Sequence, residues 1–161
     1  MAEHRNGNGN NNSLAPEAPA RAGYMRDFYS WLMQQARAVR EGRWDAIDRE
    51  NLAEEIESLG REQFNKLESA LRVLLTHILK WDHQPEKRSR SWLLSMRAQR
   101  LEIEDVLADN PSLSPRIEEA LTRAYRRARL EAAKETELDE ATFPQGCPYS
   151  FEEAMGREDS F

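Results

Sequence analysis

Apolar residues recur at helical spacing through most of the stretch from Asn51 to Trp92, and this pattern constrains the fold more than any other feature of the chain. Leu52, Ile56 and Leu59 form one stripe; Leu67, Leu71, Leu74 and Ile78 form another. Gly60 stands between them. The two stripes nearly share a phase when extended across it. The spacing therefore predicts one continuous or kinked helix from Asp48 to about Asp82, tolerating an interior glycine at a cost of roughly 1 kcal/mol. Pro85 ends this region, and it turns Gln84 away from helical backbone.

The flanking segments read the same way. A first helix is expected from Tyr24 to about Glu41, with Phe28, Leu32, Ala36 and Val39 as its apolar stripe, Tyr29 and Trp31 off it, and Gly42 as its stop. Asp45 or Asp48 can cap the long helix that follows. A third helix runs from about Arg90, capped by Ser89, to Ala108, where Asn110-Pro111 closes it. Ser114-Pro115 reads as a cap with proline in the first turn of a fourth helix that reaches about Glu135. Ser150 and Glu153 have the spacing of a capping box for a short last helix. No useful run alternates as a strand does. The expected fold is all-α, a compact bundle of about five helices with a short C-terminal one.

Residues 1–22 differ from the rest. The run Asn6 to Asn12 and the Ala/Pro stretch after it have no periodic apolar positions, so they cannot bury enough surface to offset the entropy of ordering. We expect a disordered tail over 1–22 and a single helical domain over 23–161. Cys147 is the lone cysteine, which excludes an internal disulfide and a cysteine-built zinc cage. A reduced, cytoplasmic setting is the simplest expectation. No apolar run approaches the roughly 20 residues that cross a bilayer, so no membrane partner is expected.

Charge is distributed in blocks. The net charge is −6, which argues against general nucleic-acid binding. Yet Glu41 to Glu62 holds eight acids and three bases, whereas Gln84 to Arg100 holds five bases and one acid. Such opposed blocks favour pairing within one molecule or between two copies.

Several residues are candidates for chemistry. Glu54 and Glu57, with Glu50, share a helix face, and His77 is expected on a facing or adjoining helix, with Asp82 and His83 close behind; carboxylates and imidazoles of this kind build metal sites in helical bundles. The twice-repeated Glu/His pattern of di-metal sites is absent, and helix carboxylates more often form a solvated face. Lys87, Arg88, Arg90, Arg97 and Arg100 lie beside Trp81 and Trp92, a mix that can hold phosphate or stack bases, or else pair with the acidic block. Cys147 precedes a short helix but has no catalytic motif around it. No catalytic residue and no cofactor are predicted, and whether the chain is an enzyme stays open. The aromatic and basic residues Trp31, Trp44, Arg88, Arg90 and Trp92 are the candidate interaction surface.

Taken in order, Asp27 to Trp31 (DFYSW), Asn51 to Gly60 (NLAEEIESLG), His77 to Trp81 (HILKW), Gln84 to Trp92 (QPEKRSRSW), Pro111 to Leu113 and Cys147 to Tyr149 resemble the bacterial domain-of-unknown-function family twenty-nine, common in cyanobacteria and proteobacteria. The resemblance implies a compact, all-helical protein of about this length. It brings no established activity, cofactor or catalytic residue. The function expected from the residues is a protein-interaction or scaffold module, as a homodimer or with another protein. The alternatives are a metal protein or enzyme using Glu54, Glu57 and His77, and a phosphate or nucleic-acid binder using Lys87 to Arg100.

Overall fold

The computed structural model describes residues 19–159. The Asn/Gly run and the rest of the expected tail up to residue 18 lie outside them. Among the described residues there are six α-helices, four short 3-10 turns and no strand. The helices are α1 (Pro19–Arg26), α2 (Phe28–Arg40), α3 (Arg49–His83), α4 (Arg90–Asp109), α5 (Ile117–Thr136) and α6 (Phe151–Gly156). The described residues fall into two compact units, the first ending at Glu57 and the second beginning at Ser58. Helix starts at Pro19, inside the segment expected to be tail.

The first unit is described from Pro19 to Glu57. The single helix expected from Tyr24 to Glu41 is two, because Asp27 leaves helical backbone and caps α2. Its Oδ1 accepts from Ser30 N at 3.0 Å and its Oδ2 from Ser30 Oγ at 2.7 Å. Gly42 does end α2. Its φ of 68° is open to glycine at little cost. Gly42 N donates to Val39 O and Arg43 N to Ala38 O, a Schellman closure. The buried residues of α2 are Trp31, Gln35 and Ala38. Of the expected stripe Phe28, Leu32, Ala36 and Val39, the two ends Phe28 and Val39 are exposed, and Leu32 and Ala36 are half-buried. The helix is turned so that its largest ring is inside: Trp31 stacks with Phe28 at 5.9 Å and meets Tyr24 edge-on at 4.8 Å. Buried Gln35 then serves as an internal ligand, its Oε1 accepting from Asp48 N at 2.8 Å. Asp48 holds Asn51 at the start of α3.

α3 is continuous through Gly60, and its 35 residues extend from the first unit into the second. The second unit, from Ser58 onward, is a three-helix bundle of α3, α4 and α5 closed by α6. Pro85–Lys87 reverses the chain after α3, and Ser89 caps α4 by accepting from Trp92 N. A second reversal at Pro111–Arg116 brings α5 back parallel to α3. Pro115, expected in the first turn of α5, sits inside this 3-10 segment, just before α5 begins at Ile117. The direction is visible in the pairs: Glu68 meets Arg123 and Arg127, Arg72 meets Glu131, Lys80 meets Glu135, and Gln84 meets Thr136, both numbers rising together. Leu67, Leu71, Leu74, Leu75, Ile78 and Leu79 of α3 are buried against Met96, Ile103, Leu121 and Tyr125. The small residues Ala120, Ala124, Ala128 and Ala132 line one face of α5 and let α3 approach closely. The capping box of Ser150 and Glu153 opens α6 as expected.

Candidate functional site

The three candidate metal ligands do not come together. Glu54, Glu57 and His77 all belong to the continuous α3. His77 lies far along that helix from Glu57, whereas a metal shared between ligands needs bonds of about 2 Å. His77 instead directs Nδ1 at the Val73 carbonyl, 2.9 Å away, and since a carbonyl only accepts, that nitrogen carries the proton. Among the described residues no group of three His, Cys, Asp or Glu side chains is placed to hold an ion.

The basic segment divides into engaged and free arginines. Arg88 donates to the Trp81 carbonyl at 2.9 Å and lies over the Trp81 ring. Arg100 donates to Ala154 O and to Asp159. Trp92 is half-buried, with the ammonium of buried Lys80 4.4 Å from its ring centroid. Arg88 and Trp92 thus hold the α3–α4 corner together. Arg90 and Arg97 stay exposed.

That corner continues into a clasp that sequence reasoning did not find. Arg157 forks onto both oxygens of Asp82 at 2.6 and 3.0 Å. Tyr149 donates to Asp82 Oδ2 at 2.8 Å, and Arg157 and Arg100 share Asp159. Burial opposes the Asp82 charge, but the Arg157 and Tyr149 hydrogen bonds outweigh it and hold the carboxyl below its ordinary range. Burial pushes the Tyr149 phenol strongly up, and its bond to Asp82 adds to the effect. The clasp ties the chain after α6 to the end of α3. Each of its groups has a partner inside the molecule.

A second cluster faces a cavity of about 310 Å³ lined by Glu68, Arg123, Arg126, Arg127 and Leu130. Glu68 is buried, with Arg123 Nε 3.0 Å from Oε2 and Arg127 Nη1 3.5 Å from Oε1. The Arg123 approach is off line, so Oε2 gains charge compensation without a hydrogen bond. Arg129 bridges to Glu140 and to the Phe143 carbonyl. Three of the four arginines of α5 therefore serve the fold. The signal available in sequence was Glu68 sitting next to Leu67, one turn before Leu71, a charge inside an apolar run that must find a partner.

Cys147 is no better suited to chemistry. Burial raises its thiol above the ordinary range, and Sγ donates to the Tyr149 carbonyl at 3.3 Å. A nucleophilic cysteine needs the opposite shift.

Of the candidate interaction residues, Trp31 is 1% exposed and lies inside, because its ring closes the Tyr24–Phe28 cluster. Trp44 is 61% exposed. The model of one family, described as Domain of unknown function DUF29, matches residues 24–158. The chain belongs to the DUF29 family. No curated protein and no solved structure matches it. In this DUF29 chain the exposed apolar residues concentrate in the first unit. Met25 (84% exposed) and Tyr29 (73%) are joined by Met33, one turn further along α2, and Trp44 follows the helix. Among the described residues no helix is long and apolar enough to cross a membrane.

Proposed function

We propose that this DUF29 chain is a cytoplasmic protein-interaction module whose contact surface is the outer side of α2. The reading rests on one observation. Tyr29 and Met33 sit one turn apart on α2, both exposed, with Met25 exposed just before them. Tyrosine, tryptophan and methionine are the side chains that protein interfaces enrich, because they offer large contact area and adapt to a partner. The opposite side of α2 is already spent on Trp31, Gln35 and Ala38. A patch of this kind on a folded unit marks a contact with another protein.

Of the basic residues that a phosphate or nucleic-acid ligand would use, Arg88 and Arg100 are engaged within the fold, while Lys87, Arg90 and Arg97 stay exposed. Native mass spectrometry of the chain recovered gently from expressing cells tests the proposal. The wild type is expected to carry a polypeptide different from itself at fixed stoichiometry, and a Tyr29→Ser/Met33→Ser chain is expected to lose it. Both forms recovered alone would speak against the proposal.

A further inference from the structure

The outer face of α4 carries its charges in an order that fits a second copy of itself. Arg90, Leu94, Arg97, Leu101, Glu104 and Asp105 recur at three- and four-residue spacing and so form one stripe along the helix. Met96, Ile103 and Val106 take the core-facing side. Leu94 is 50% and Leu101 61% exposed. The four charged residues of the stripe are exposed, and none has an ion-pair or hydrogen-bond partner among the described residues.

The stripe is polar in the other sense of the word. Its first half is basic, through Arg90 and Arg97, with Lys87 just before it. Its second half is acidic, through Glu104 and Asp105, with Asp109 at its end. Two such helices side by side and parallel would set like charge against like. Antiparallel, each basic half meets an acidic half, twice over, and the leucines fill the seam between. This is an isologous, self-closing contact of the type that two-fold dimers use. A nucleic acid would match only the basic half and be repelled by the acidic one. A uniformly charged protein partner would match one half only.

We propose that α4 of one copy pairs antiparallel with α4 of a second copy, sealing Leu94 and Leu101 from water. The contact is separate from the α2 surface. A helix of 20 residues gives a seam about 30 Å long, at the low end of specific interfaces. The dimer therefore dissociates on dilution.

Sedimentation velocity on the full chain at low salt, over a range of concentrations, tests this with two charge-reversed forms. One is Arg90→Glu/Arg97→Glu, whose stripe is wholly acidic; the other is Glu104→Arg/Asp105→Arg, whose stripe is wholly basic. The wild type is expected to pass from monomer to dimer. Each reversed form should self-associate at least about tenfold more weakly, and an equimolar mixture of the two should recover a two-chain species. All four substituted positions are solvent-facing, so an unchanged far-ultraviolet dichroism spectrum is expected throughout. A Tyr29→Ser chain should dimerise like the wild type. A wild type that stays monomeric at every concentration, a dimer indifferent to both reversals, or a dimer lost on Tyr29→Ser would overturn the pairing.

Discussion

Asp82 and Arg157 lie 75 residues apart and meet as a forked ion pair, with Arg157 donating to both carboxylate oxygens at 2.6 and 3.0 Å. The pair fastens the segment after α6 to the end of α3. Partly exposed pairs stabilise modestly, about 1 kcal/mol or less, so Asp82→Asn should act locally. Hydrogen exchange should quicken at the amides of Ala154 to Arg157 and stay unchanged at Leu71 to Leu75. The same contact sets an acid limit. The Asp82 carboxyl is held below its ordinary 3.8, so its contribution is fully present above that value and is lost as pH falls through the lower folded value. Carboxyl titration by nuclear magnetic resonance should give Asp82 a midpoint below 3.8, with α6 loosening over the same range.

Gly60 lies within the continuous α3, and a β-carbon built there would meet nothing within 4 Å. Its backbone is not in the left-handed region. Gly60→Ala should therefore raise stability, by about 0.5–1 kcal/mol, through the lower entropy of the unfolded chain. Thermal melts followed by circular dichroism check this. A lower midpoint would mean that the glycine is needed for a bend.

Leu74 is wholly buried and Ile56 is 61% exposed, although both continue one apolar phase along α3. Leu74→Ala should cost about 2–5 kcal/mol, and Ile56→Ala should stay within about 0.5 kcal/mol. Urea unfolding of the two variants gives the comparison.

This contrast shows what periodicity does and does not reveal. Leu67, Leu71, Leu74 and Ile78 were legible as core because α4 and α5 cover that part of the stripe. The spacing of Leu52, Ile56 and Leu59 is the same, yet Ile56 and Leu59 are exposed. A repeat reports a face, and tertiary partners decide whether that face is covered. In α2 the repeat of Phe28, Leu32, Ala36 and Val39 lost to the single demand of burying Trp31. Capping signals survived better: Gly42, Ser89 and Ser150 act locally, and each sits where its spacing placed it. The clasp was invisible, because Asp82 and Arg157 are joined only by the path of the whole second unit.

Cys147 should react slowly. Burial holds its thiol above the ordinary range, so little thiolate is present at neutral pH. Alkylation by iodoacetamide should run well below the rate of a free cysteine and reach that rate once the chain is unfolded in urea.

We propose that another protein binds on the outer side of α2. Photocrosslinking in expressing cells, with a photoreactive residue in place of Tyr29 and, as a control, in place of exposed Glu118 on α5, tests it most directly. A discrete adduct is expected from position 29 and none from position 118. No adduct at position 29, or the same adducts from both positions, would contradict it.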